Sequence, residues 1–266
     1  MDVKDEPNGA EGPEGTPGPP GPSGRSGSPG LAGAAGSAVS DAAEVLPPSV
    51  TVAGTPRVLL ETALRQFALR GYYGVSVRDI TGEVGIRPAS LYAHYPSKEH
   101  LLAELMRLGH EHLLAEQDRA QADLAPDPTA ADQLAALVRA GVRMQARYPM
   151  LARVCFNELP GLSTESLAEV LALRMEWVAR LSGILEQGVE QGEFQVDDTF
   201  LTAMAVGALI IRVANWYGGN EAGQEFGPVL TSEAMPAARF SVDQVADTYA
   251  DLALRLVNAA PSAPSR

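Results

Sequence analysis

SVRDITGEVGIRPASLYAHY, the stretch Ser76–Tyr95, holds two short helical patterns on either side of a glycine. Ser76 with Asp79 three residues on is a capping-box variant that opens the first of them. Val77, Ile80 and Val84 then form one apolar stripe, and Gly85 supplies the turn. Pro88 suits the first turn of the second helix, which runs through Tyr92. Two short helices joined by a glycine-containing turn are the footprint of a helix-turn-helix. The second helix of such a motif must hold an apolar residue inward and offer small or polar residues outward. Here Leu91 is the inward residue, while Arg87, Ser90, Tyr92 and His94 point elsewhere. Hydroxyl and ammonium groups hydrogen-bond phosphate oxygens, arginine reads guanine bidentately, and helix N-termini add N–H donors. Tyr92 lies on a different face from its neighbour Leu91, which directs it toward phosphate. Tyr95 lies four residues beyond Leu91, so a core role and a DNA role both stay open for it. Gly82, inside the first helix, costs roughly 1 kcal/mol of helix preference relative to alanine.

Helical signals continue on both sides. Thr55-Pro56 reads as a cap followed by proline at the first helical position, with Leu60, Ala63, Leu64, Phe67 and Ala68 on one face and Gly71 at the end. Pro96-Ser97 caps a further helix, expected over roughly residues 97–118, with Leu101, Leu102, Leu105 and Leu108 on one side. Helices are expected near 130–147, 149–158, 164–190, 198–217 and 242–259, the last opened by a Ser241–Gln244 capping box. Residues 218–240, rich in Gly and Pro, read as a loop. No strand-period alternation persists, so the expected fold is all-α.

Residues 1–54 differ in kind. Glycine falls at every third position from Gly9 to Gly36, ten Gly-X-Y triplets in all, with six prolines among the thirty residues 9–38. That is the collagen spacing, but it is also what a disordered, polyproline-like tail looks like. The tract is short and its second half is poor in proline, which favours the tail. A trimer would also conflict with the two-fold assembly considered below.

The net charge of -13 taken alone argues against nucleic acid, but its distribution matters more. Residues 1–54 carry a net -5, residues 113–266 a net -9, and residues 55–112 a net +1. The segment with the helix-turn-helix signature is the one that is not acidic. A single cysteine, Cys155, excludes an intramolecular disulfide framework and reads as a small buried hydrophobe. No basic start followed by an apolar stretch marks a secretory signal. The longest nearly uncharged apolar stretch, Phe200–Ile211, is shorter than the about 20 residues a bilayer requires, so a buried helix is expected and no membrane partner. No phosphate loop, dinucleotide fingerprint, H-E-x-x-H or nucleophile elbow is found, so the chain is not expected to be an enzyme. His94, His100, His110 and His112 include no i, i+4 pair, so neither a metal site nor a cofactor is expected.

Val245, Tyr249, Leu252 and Leu256 on the last helix form a narrow coiled-coil-like seam. Leu201, Met204, Ala205, Ala208 and Leu209 give the 198–217 helix a face with small residues. Packing within one subunit and packing between two subunits both explain these seams. Symmetry favours the second, because one helix-turn-helix has little affinity whereas two, about 34–36 Å apart, read a palindrome.

Residues 57–105 resemble the DNA-binding domain of the tetracycline-repressor (TetR) family of bacterial regulators. The resemblance runs through Ala63-Leu64-Arg65-Gln66-Phe67, Gly71-Tyr72, Ser76-Val77-Arg78-Asp79-Ile80, Val84-Gly85-Ile86 and Leu91-Tyr92-Ala93-His94-Tyr95, with Lys98 and Leu101-Leu102. It implies a tail over 1–54, a three-helix DNA-binding domain over 55–112, an effector-binding and dimerisation bundle over 113–260, and a short tail over 261–266. Pro88–Tyr92 becomes the recognition helix. Arg87, Pro88, Ala89 and Ser90 fall where the family touches bases; Ser76, Arg78, Tyr92, His94 and Lys98 fall where it touches phosphates or the groove wall, and Tyr95 adjoins them. The last two helices would form a four-helix dimer interface through Leu201, Ala205, Ala208, Leu209, Val245, Tyr249, Leu252 and Leu256. An effector pocket is expected among Arg143, Met144, Arg147, Phe156, Trp177, Met204, Asn215 and Trp216, with apolar walls and a few polar anchors. Asn215-Trp216-Tyr217 resembles regulators of lipid or acyl-thioester metabolism. The implied function is a cytoplasmic, ligand-responsive regulator that binds double-stranded DNA as a homodimer. It would be a repressor leaving a palindromic operator when a small molecule binds. An activator of the same fold and an interaction protein assembled through the Gly-X-Y tail are the alternatives.

Overall fold

The computed structural model describes residues 45–217 and 240–257. The Gly-X-Y tract, nearly all of the expected 218–240 loop and the residues after 257 lie outside the described residues. Among the described residues the helices are α1 (Thr55–Arg70), α2 (Val77–Val84), α3 (Pro88–Tyr92), α4 (Lys98–Ala122), α5 (Ala130–Arg147), α6 (Pro149–Asn157), α7 (Thr164–Glu190), α8 (Thr199–Trp216) and α9 (Val242–Leu256). A 3-10 turn, Leu159–Gly161, follows α6, and no strand is present among these residues.

Local side-chain chemistry sets many of the helix starts. The Ser76–Asp79 and Ser241–Gln244 boxes form as expected, and Thr129–Asp132 adds a third that opens α5. Ser97, Ser163 and Asp198 cap α4, α7 and α8 by accepting a backbone N–H. Each such cap is worth about 1 kcal/mol. α1 departs from expectation by one residue: Gly54 is its N-cap and Thr55 is already helical.

α1, α2, α3 and the start of α4 close around one apolar centre. Leu59, Leu60, Leu64, Ile80, Leu91, Leu101, Leu102 and Leu105 are wholly buried. Gly85 ends α2 in the left-handed region at φ 77°, and its N–H returns to the α2 carbonyls of Thr81 and Gly82. The expected tail is shorter than residues 1–54 at its C-terminal end. Leu46 and Val50 are buried in the core, Ser49 Oγ lies 3.1 Å from His112 Nδ1, and Arg57 donates to the Val50 carbonyl at 2.9 Å.

α4 runs on from the head into a bundle. There α5 lies centrally, touching α4, α6, α7, α8 and α9. Its alanines and Gly141 let neighbours come close: a Cβ on Gly141 would stand 2.9 Å from Ile210 of α8. α8 is longer than the apolar stretch read from the sequence, and by length and composition it could cross a membrane. Burial, however, covers only the face with Ala203, Val206, Gly207, Ile210, Val213 and Ala214. The expectation of a buried helix therefore holds for one face and fails for the other.

Gly82 and Gly85 both have open space where a Cβ would sit, but only Gly85 has a positive φ. Gly82→Ala is expected to stabilise the protein by about 1 kcal/mol. Gly85→Ala is expected to destabilise it by about 1–2 kcal/mol. Urea unfolding of the full chain at one fixed protein concentration checks both signs.

Candidate nucleic-acid interface and ligand seat

α3 spans five residues. Leu91 is its one wholly buried side chain, and Pro88, Ala89, Ser90 and Tyr92 are exposed around it. Arg87 caps α3 through its backbone alone, leaving its guanidinium exposed. Arg78 and His94 are exposed as well, and neither Arg78 nor Arg87 has an ion-pair partner among the described residues. These groups form a patch of two cations, two hydroxyls and an imidazole around a helix small enough to enter a groove. Tyr92 is 54% exposed, a large ring held in water.

Ser76 is exposed, but its hydroxyl proton is committed. Oγ donates to Asp79 Oδ2 at 2.7 Å and accepts the Asp79 N–H at 3.2 Å. The Ser76 N–H and hydroxyl, followed by Arg70, hold the Asp79 carboxyl below its usual range.

Two expected DNA contacts turn inward. Tyr95 is half-buried and its hydroxyl donates to the Pro56 carbonyl at 3.3 Å; burial, aided by Glu104, pushes that hydroxyl up to about 12. The core role, left open above, is the one the fold assigns. Lys98 Nζ donates to the carbonyls of Tyr72 at 2.9 Å and Val75 at 2.6 Å, and sits 3.9 Å from the centre of the Tyr72 ring. Burial lowers its pKa, yet the two carbonyls and the ring hold it in the turn before α2. The resemblance put Lys98 at phosphate or the groove wall with Tyr95 adjoining, and position along the chain does not say which carbonyls lack donors.

The expected dimer residues divide. Leu201, Ala205, Ala208 and Leu209 are all exposed on α8, and Met204 stands among them. On α9, Leu252 and Leu256 are exposed and Tyr249 is half-buried. Val245 is a correction: only 5% exposed, it packs inside its own subunit. α9 has two apolar faces, and the one with Val245, Ala246, Ala250, Ala253 and Leu254 is covered within the subunit.

The expected effector residues divide in the same way. Met144 and Trp177 are buried, and Phe156 is half-buried beside the His110 ring at 5.7 Å with Arg174 over its face at 5.0 Å. Asn215 and Trp216 are half-buried near the end of α8, with Trp216 stacked on Tyr249 at 6.4 Å. Arg143, Arg147 and Met204 do not belong inside. Arg143 pairs with Asp243 at 2.9 Å on the surface, Arg147 is exposed, and Met204 lies on the bare face of α8. Cys155 is buried, and burial pushes its thiol up to about 12, so it stays protonated.

The bundle interior holds polar groups that sequence reading passed over. His110 Nε2, both amide atoms of Gln117 and of Gln145, and the Trp177 indole N–H are buried without a hydrogen-bond partner among the described residues. Buried polar atoms are almost always paired, with protein, water or ligand. His110 Nδ1 lies 2.8 Å from the Met106 carbonyl, a contact only a donor can make, so in the neutral ring Nε2 is a bare acceptor. Burial pushes this imidazole down to about 4, so neutrality is its resting state. Gln145 between Met144 and Ala146 on a buried helix face was the signal available in the sequence.

The turn after α6 ties this bundle to the head. Glu158 Oε2 accepts the Tyr72 N–H at 3.0 Å, Tyr73 donates to the Pro160 carbonyl at 2.6 Å, and Glu99 accepts the Ser163 N–H at 3.0 Å.

Residues 59–105 match the family model "Bacterial regulatory proteins, tetR family", and residues 127–224 match "Tetracyclin repressor-like, C-terminal domain". The HTH-type transcriptional repressor KstR2 of Mycobacterium tuberculosis is 30% identical over 140 residues, which cover 52% of this chain and 68% of that protein. Among solved structures, a tetR-family regulatory protein from Rhodococcus RHA1 is 28% identical with a TM-score of 0.66, covering 79% of this chain and 100% of the other. AibR, solved with isovaleryl coenzyme A and operator DNA, is 25% identical with a TM-score of 0.60, covering 77% of this chain and 99% of its own.

Arg87→Ala is expected to weaken binding to a selected duplex by about 1–3 kcal/mol, as loss of a base contact does. Tyr95→Phe is expected to leave that affinity unchanged; both are read by fluorescence anisotropy at one salt concentration. His110 binds its proton more weakly folded than unfolded, so its contribution to stability is complete above the ordinary histidine value of 6.5 and is lost as pH falls toward about 4. Urea midpoints are expected to drop across that window in the wild type and to drop less in His110→Leu.

Proposed function

The chain belongs to the TetR family of bacterial regulatory proteins, and from that we propose a ligand-responsive repressor that binds a palindromic operator as a homodimer. The observation that carries this reading is α3: five residues, one buried anchor, and an exposed rim of Arg87, Pro88, Ala89, Ser90 and Tyr92. A surface of that size and polarity fits the major groove, where side chains at a helix N-terminus meet base edges. Arg78 and His94 flank it toward the phosphates. No catalytic role is assigned to the chain, which acts by binding in the cytoplasm.

The bare face of α8, where Leu201 is 64% exposed, joins Leu252 and Leu256 of α9 as the surface for a second copy. Contiguous exposed leucines on one monomer mark an interaction site. A two-fold axis through these helices pairs the heads so that two recognition helices meet successive turns of one duplex.

The effector seat lies among His110, Gln117, Gln145 and Trp177, whose unpaired polar atoms would orient a ligand between apolar walls that include Met144 and Phe156. AibR was solved with an acyl-thioester, and we assign the effector of this chain to the same class. Release is a population shift: the ligand favours a conformer in which the heads are wrongly spaced, and the turn at Glu158–Ser163 carries the change to Tyr72, Tyr73 and Glu99.

The test is selection of duplex fragments by the purified full chain at stated salt, followed by titration with isovaleryl coenzyme A and longer acyl-thioesters. A palindromic consensus, with affinity falling at least about tenfold when the effective acyl chain is added, is the expected result. Sequence-independent binding would overturn the operator reading. Affinity unchanged by every acyl-thioester would overturn the effector class.

A further inference from the structure

α7 carries two arginines with unlike surroundings. Arg180 meets Asp118 at 2.6 Å and Glu176 at 2.7 Å. Arg174, half-buried, has no carboxylate partner among the described residues, and its guanidinium carbon stands 5.0 Å from the centre of the Phe156 ring. Burial lowers the pKa of Arg174, and the other ionisable group that bears on it, the Cys155 thiol, stays protonated. The same positive charge reaches His110, where it adds to burial in keeping the ring neutral. A desolvated cation gains less from the face of a phenyl ring than from a carboxylate or phosphate. This part of the bundle therefore holds a positive charge that no described side chain neutralises.

We propose that Arg174 is the anion anchor of the ligand seat: the ligand is an apolar anion whose carboxylate or phosphate meets this guanidinium while its apolar body lies against Phe156 and Trp177. The proposal rests on the seat assigned above and names the charge its ligand must carry. Guanidinium forks match carboxylate and phosphate oxygens bidentately, so either group satisfies the geometry.

A second, independent observation points to a ligand at the same place. Three helices meet here, with His110 on α4, Phe156 on α6, and Arg174 and Trp177 three residues apart on α7, a spacing that puts neighbours on one helix face. His110 is 3% exposed and Trp177 6%, yet His110 Nε2 and the Trp177 indole N–H have no hydrogen-bond partner among the described residues. One is an acceptor and the other a donor, both neutral, so they can orient a hydroxyl, an amide or a carbonyl but cannot balance a charge. The nitrogens of Arg174, unlike these two, are not among the sealed polar atoms. The cation thus stands at the wet edge of the seat and the neutral groups lie deeper. That order suits a ligand with an ionised end and an apolar body that carries a neutral polar group.

Isothermal titration calorimetry of the full chain at constant ionic strength tests this with three probes that share one acyl group, isovaleryl and octanoyl in turn. They are the coenzyme A thioester, which carries phosphates, the free carboxylate, and the uncharged N-acetylcysteamine thioester. At least one of the two anions is expected to bind saturably, about tenfold or more tighter than the uncharged thioester, and to lose that advantage in Arg174→Gln, the removal of one charged hydrogen-bonding group. Arg174→Lys keeps the charge without the fork and is expected to retain part of it. Preference for the thioester of coenzyme A assigns the anion as phosphate, and preference for the free acid assigns it as carboxylate. The uncharged thioester binding as tightly as both anions overturns the proposal. So does an Arg174→Gln chain that loses all three probes alike, loses none, or fails to fold while Arg174→Lys binds no anion. No saturable binding of either anion at millimolar concentrations overturns it as well. Arg174-dependent binding that leaves operator affinity unchanged would keep this anchor and remove the ligand-responsive reading. Release of operator by an acyl-thioester that persists in full in Arg174→Gln would keep that reading and remove the anchor.

Discussion

A helix of five residues closes little more than one turn, and in water such a segment has no stability of its own. α3 keeps its shape because Leu91 is wholly buried among side chains of the same small core, including Ile80 and Leu101. Burying one leucine is worth about 1.5–3 kcal/mol, which offsets the ordering of only one or two residues at about 1–2 kcal/mol each, so the surrounding core must hold the rest of the helix. The exposed rim from Arg87 to Tyr92 thus takes its position from a core that α1, α2 and α4 complete. Lys98 and Tyr95 serve that core from its edge, tying down the carbonyls of Tyr72, Val75 and Pro56.

The second constraint is the bare apolar face of α8. One side of the helix is locked close to its own bundle, where a Cβ on Gly207 would stand 2.6 Å from Trp177. Its opposite side holds leucines in water, alongside Leu252 and Leu256. A second copy of the chain covers such a face by symmetry without any new sequence. Head and bundle are linked through hydrogen bonds at the turn after α6, the route by which the proposed ligand and a duplex under the head would bias one another.

Much of this was legible in the sequence because it is local. Ser76 with Asp79, Ser241 with Gln244, and Pro88 after Gly85 mark helix ends by chemistry that acts within four residues. The helix boundaries from α5 onward follow the expected spans closely. What was not legible depends on partners distant in the chain. Lys98 turns to carbonyls more than twenty residues away, and Leu46 and Val50 leave an apparently featureless tail to enter the core. Val245 and Leu252 lie on one periodic seam, yet the first faces its own subunit and the second faces out, because periodicity finds apolar faces without saying what covers them. The unpaired atoms of Gln117 had no sequence motif at all, and those of Gln145 only an amide set between apolar neighbours; burial reveals both.

Hydroxyl-radical footprinting of a selected duplex in complex with the full chain puts the whole arrangement to the test. A small head anchored by Leu91, paired by two-fold symmetry, protects two equivalent backbone patches about one helical turn apart, 10–10.5 base pairs, or a whole multiple of it. A single protected patch, or two unlike ones, would mean that the heads do not act as a symmetric pair.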